Sequence, residues 1–172
     1  MPEPAIIQAA RATVRYWDPY SSVIMVAIGG PESGHDEDIP GDHVSIFPLE
    51  EQQAYAFWAC NGYTSFGWLQ INLRWNYDKV EIDTGSRDPC TMAAYLNNYD
   101  HCARVGRRVF DSQGFGAWTA FNNRSYLSWV NAAQSSVEFV LGHDVETPPT
   151  GFRQPIGIPK TPPSRAKTPP GG

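Results

Sequence analysis

"SSVIMVAIGGPESGHDEDIPGD", residues 21–42, decides how this chain is read. From Val23 to Ile28 every residue is apolar. A helix of that kind has no polar face and belongs in the middle of a core. Gly29, Gly30 and Pro31 read as its end, because Pro lacks an N–H and disfavours helix in the residue before it. Glu32 then stands where the apolar segment opens into a loop holding His35, Asp36, Glu37, Asp38, Asp42 and His43. A carboxylate near a helix C-terminus meets the negative end of the helix dipole. On charge grounds it is a poor residue for a merely solvated helix end. Beside an apolar helix it would be a carboxyl group of raised pKa, and so a general acid at the lip of a cleft.

Working outward, residues 4–17 predict a helix, with Ile6, Ile7, Ala10, Val14 and Trp17 at three- and four-residue spacing. Ser21 or Ser22 is placed to cap the helix at about 21–30. "LEEQQAYAFWAC" (49–60) carries a further helical segment, and "GYTSFGWLQINLRW" (62–75) is β-compatible without a clean period. Asp88 can cap a helix that starts at Pro89. That helix is expected to run on through Met92, Tyr95, Leu96, Tyr99 and Cys102. A last helix follows, with Ser125 placed to cap it and Gly142 to stop it. The class is mainly α, with a small irregular or β-like segment flanking a cleft.

The chain of 172 residues suits one domain with a real core. Residues 1–146 form the expected folded unit. From Thr147 onward eight of 26 residues are Pro, and "KTPP" occurs at 160–163 and 167–170, so 147–172 reads as a Pro-rich tail or linker. The net charge of −5 argues against a nucleic-acid partner. "MPEPAIIQAARATVRYW" has neither the basic start nor the apolar run of a signal peptide, and no apolar run is long enough to span a bilayer. The protein is therefore expected to be made in a cytosol without membrane insertion. If Cys90 and Cys102 share one helix, they stand roughly 18 Å apart and cannot bridge. Cys60 could pair with either. The expectation is buried free thiols. No Cys or His pair has zinc-ligand spacing, and nothing calls for a metal or an organic cofactor.

Three stretches line up with Glu32. "ESG" (32–34), "SFGWLQIN" (65–72), "AAYL" (93–96) and "AFN" (120–122) stand in the order of four motifs of the lysozyme-like superfamily. Over residues 5–135 the chain resembles its soluble lytic transglycosylase and goose-type lysozyme group, including phage wall-degrading domains. The resemblance implies a lysozyme-like helical fold and cleavage of the β-1,4 bond between N-acetylmuramic acid and N-acetylglucosamine. Glu32 would then be acid and base, and bacterial peptidoglycan the partner. It also implies a substrate-binding set of Tyr63, Ser65, Gln70, Asn72, Phe121 and Asn122. Ser65 and Gln70 would bond Glu32 or the sugar, Gly67 would admit the sugar close to the backbone, and Asp42 would be a second carboxylate. Trp68 reads as core or as groove floor.

Three positions depart from the family pattern: Phe121 replaces a Tyr, Arg124 a Gly, and Pro31 precedes Glu32. A phage lysin, virion-associated or released to the wall, would fit a chain without a signal peptide, with 147–172 joining it to phage structural proteins. The rival readings are a non-catalytic virion or wall-binding domain on the same fold, and a glycosidase for another N-acetylated polymer such as chitin.

Overall fold

The computed structural model describes residues 1–146; the Pro-rich segment 147–172 lies outside them. Eight α-helices and one three-stranded antiparallel sheet make up the described part, which is mainly α. α1 spans Ala5–Thr13 and ends earlier than its periodicity predicts, with Trp17 buried in the turn that follows.

α2, Pro19–Ser33, is the centre of the core. All ten residues from Ser21 to Gly30 are buried, and α2 packs on α1, on the last helix and on the turn before that helix. Asp18, not a serine, caps it: the carboxylate accepts the Ser21 N–H at 2.9 Å, with Pro19 in the first turn. The expected stop at Gly29-Gly30-Pro31 is also corrected, because the helix runs to Ser33 and ends on Gly34 at φ 66°. Pro31 is exposed and within one turn of the end, where it costs only the bond that Ala27 C=O would have received. The two glycines serve packing instead. A Cβ on Gly29 would lie 2.6 Å from the Trp68 ring, and one on Gly30 would collide with the Trp129 indole.

The sheet has the order β1 (Gly41–His43), β2 (Tyr63–Phe66), β3 (Ile71–Asn72). Ser65 in the middle strand pairs with Gly41 on one side and Asn72 on the other. α3, Leu49–Phe57, lies between β1 and β2. α4, Leu73–Thr84, follows β3 directly, and Asn72 caps it by accepting the Arg74 N–H at 3.1 Å.

α5, Pro89–Leu96, starts as predicted, with Asp88 accepting the Thr91 N–H at 2.7 Å. The single helix expected beyond it is two. α6, Tyr99–Gln113, begins anew because Asn98 accepts the His101 N–H at 3.0 Å and so caps it. Arg108 of α6 grips Asp83 of α4 at 2.7 and 2.8 Å, and the Tyr95 hydroxyl of α5 donates to the same carboxylate at 2.8 Å. α7, Thr119–Asn122, is a single turn. Ser125 opens a 3-10 turn, Ser125–Trp129, instead of capping α8, Val130–Leu141, which Gly142 does stop.

The expectation of three free thiols is also corrected. Cys60 and Cys90 form a disulfide with their Cα atoms 4.8 Å apart, while Cys102 alone is free and buried. The bridge ties the segment after α3 to the first turn of α5. No helix among the described residues is long and apolar enough to cross a membrane.

Candidate active site

A cleft of about 180 Å³ opens where the end of α2, the sheet, α4, α6 and the turn before α7 meet. Glu32, Asp42, Gln70 and Asn72 line it together. The last turn of α2 brings Glu32 there, and Ser33 pins that turn by donating to Trp68 C=O at 2.8 Å. Glu32 is half-buried and accepts one bond, from the Ala120 N–H at 3.3 Å. Its pKa is pushed up to about 7, chiefly by loss of water. The Ala120 N–H works against that rise, and the negative charge of Asp42 adds to it.

Asp42 is exposed at a left-handed backbone position, φ 54°. The sheet register aims donors at it. Fully buried Ser65 donates from its hydroxyl to Asp42 Oδ2 at 2.5 Å, and Asn72 Nδ2 reaches the same oxygen at 3.5 Å. Asn72 also donates to the Ser65 hydroxyl at 3.1 Å. Ser65 thus orients Asp42 from behind; it does not bond Glu32, and, fully buried, it does not line the cleft. Gln70 lines the cleft, but its Nε2 donates to Ile39 and Gly67 carbonyls at 2.7 and 3.1 Å, not to Glu32.

The remaining expectations fall elsewhere. Tyr63 packs edge-on against His43, with ring centres 5.0 Å apart, and is not in the cleft lining. Phe121 stacks between Phe115 and Tyr126, and exposed Asn122 donates to Gly116 C=O at 2.9 Å; neither lines the cleft. Gly67 makes room for protein, since a Cβ there would lie 2.5 Å from Leu96 C=O and 2.6 Å from Cys102 Sγ. Trp68 is core, fully buried, with its indole N–H donating to Tyr99 C=O at 3.1 Å.

No protein-family model, curated protein or solved structure gives a significant match to this chain. The site is therefore read from its own chemistry.

The far wall of the cleft was not anticipated. It holds Trp75 and Asn76 of α4, Val109 and Gln113 of α6, and Trp118. In sequence Trp118 reads as part of a turn, yet its indole N–H donates to Leu69 C=O at 2.9 Å, which fixes the ring, and it lines the cleft with Glu32. Among the described residues no three His, Cys, Asp or Glu side chains converge as a metal site requires.

The raised Glu32 pKa is also a statement about stability. Folding favours the protonated form, so its contribution is complete below about 4.5 and is lost as pH rises through about 7. The interval corresponds to ~3 kcal/mol at most. Glu32→Gln, neutral at every pH, should therefore melt close to wild type at pH 4.5 and ~5–10 °C higher at pH 8. Paired thermal melts at the two pH values check this; a constant difference would contradict it.

Proposed function

We propose that this protein is a peptidoglycan-cleaving glycosidase, a lysozyme or lytic transglycosylase on a lysozyme-like helical domain. The observation that carries the reading is a half-buried glutamate of raised pKa sharing one cleft with a hydrogen-bonded aspartate. Breaking a β-1,4 glycosidic bond needs a proton for the leaving oxygen, from an acid still protonated near neutral pH. Glu32 supplies it and then, as a carboxylate, takes a proton from the attacking hydroxyl. That hydroxyl is water in a lysozyme and the sugar's own 6-hydroxyl in a transglycosylase. Asp42, oriented by Ser65 and Asn72, is positioned to hold a water in the first case. Apolar, aromatic and amide side chains in the same lining suit a sugar ring. The motif order from Glu32 to Asn122 supports the same substrate. A phage lysin is the setting we propose, with peptidoglycan as the partner and 147–172 as the link to phage structural proteins.

Release of soluble muropeptides from purified peptidoglycan tests the reading; no release from several wall types would overturn it. Asp42→Asn gives a second check. Removing that charge lowers the Glu32 pKa, so the alkaline limb of the pH–rate profile should move to lower pH. For a lysozyme the rate should also fall ~100-fold or more, on the scale of losing an acid–base group. An unmoved limb would show that Asp42 does not act on Glu32.

A further inference from the structure

We infer that Gln113 is a specificity-determining residue that recognises an acetamido group of the sugar bound beside Glu32. The inference rests on the glycosidase reading and goes beyond it by assigning a recognition role to the unpredicted wall of the cleft. Gln113 is the last residue of α6, 8% exposed, and lines the cleft. Its carboxamide makes no hydrogen bond to any described residue. It is also not among the polar groups sealed from solvent, so its small exposed area opens into the cleft it lines. An amide with no protein partner that opens into a cleft is held in place by its buried neighbours and free to pair with a ligand that enters.

The surroundings name the ligand. A carboxamide offers a donor and an acceptor side by side, the complement of a secondary amide. Val109, one turn earlier on the same helix, lines the cleft with Ile71 and Ala117, and the first two are almost fully buried. That wall is apolar and suits a methyl group. Asn76, also 8% exposed, keeps the wall polar at its α4 side. Its Nδ2 donates to Asn72 C=O at 3.1 Å, which fixes the amide's orientation. The opposite atom, Oδ1, is sealed from solvent, so Gln113 is the amide left to meet a ligand. An amide N–H, an amide C=O and a methyl together make a short N-acyl group. A carboxylate in its place would be repelled by Asp42.

The test uses full-length protein carrying Glu32→Gln, which holds glycan without cleaving it. The probes are chitotetraose and cellotetraose, both neutral and β-1,4-linked, differing at the 2-position. Calorimetry should show chitotetraose binding about tenfold tighter, the worth of one amide pairing. Adding Gln113→Met, of similar length without the amide, should reduce chitotetraose to the cellotetraose level and leave cellotetraose unchanged. The Gln113 side-chain NH2 resonances of the parent protein should shift with chitotetraose alone, a readout that needs no variant to fold. Equal binding of the two sugars, binding of neither, or unshifted resonances would overturn the inference. A preference that survives Gln113→Met would remove Gln113 from it. All of these are separable from the glycosidase reading, which stands or falls on release of muropeptides by wild type.

Discussion

Glu32→Gln is expected to slow peptidoglycan cleavage by ~10³-fold or more while leaving glycan binding intact. The carboxamide has the shape of the carboxylic acid and can still accept the Ala120 N–H through Oε1. It cannot give up a proton, so the leaving oxygen departs unprotonated. The wild type carries its own version of the same experiment. With a pKa of about 7, Glu32 loses its proton through the neutral range, so activity should fall on the alkaline side with a midpoint there. Both effects come from one cause, the removal of the carboxyl group from water. The same burial makes Glu32→Gln more stable at high pH, an exchange of stability for function expected of a strained site. Rates measured from pH 5 to 9 check both limbs of the claim. A Glu32→Gln protein with more than a tenth of the wild-type rate would remove Glu32 from the chemistry.

Replacing Cys60 and Cys90 together by serine is expected to cost ~3–4 kcal/mol, from the chain entropy of a bridge spanning a sequence separation of 30. The cost would fall on the sheet side of the cleft, since the loop closed by the bridge contains β2, β3 and α4. Reducing agent should lower the wild-type melting temperature by ~10 °C or more. It should leave the double variant unchanged. Cys102, buried and free, gives no such response. A wild type whose melting ignores reductant would contradict the bridge.

Much of the near side of the site was legible in the chain. Asp88-Pro89 and Gly142 mark helix ends by chemistry that acts within a few residues, and the all-apolar run before Glu32 marks the buried helix that carries it. Gln70 and Asn72 were placed by motif order and Asp42 by its place in the acidic loop after Glu32, and all three line the cleft with Glu32. What misled were local signals that tertiary contacts override. Gly29-Gly30-Pro31 reads as a stop, but Trp68 and Trp129 need those glycines to reach α2. Asn97-Asn98 sits in an otherwise helical pattern, and only the cap at Asn98 divides it. Ser65, Tyr63 and Phe121 have the right chemistry for a sugar, yet register and stacking direct them to Asp42, His43 and Phe115.

The far wall was hidden for a different reason. Trp75 and Asn76 come from α4, far in sequence from Val109 and Gln113 of α6 and Trp118 of the turn that follows it. Nothing in their spacing announces a shared surface. The bridge between Cys60 and Cys90 was open in sequence but not chosen, because nothing local to either residue shows that the fold brings them together. Gln113 had one usable mark in sequence, a polar residue on the apolar face of an amphipathic helix.

The most direct test of the account is mass spectrometry of the soluble products from purified peptidoglycan, with wild type beside Glu32→Gln. Wild type should release muropeptides cut between N-acetylmuramic acid and N-acetylglucosamine, and the variant none above background. Anhydro ends would make the enzyme a transglycosylase, and reducing ends a lysozyme that uses Asp42. Equal products from both proteins, or none from either, would contradict it.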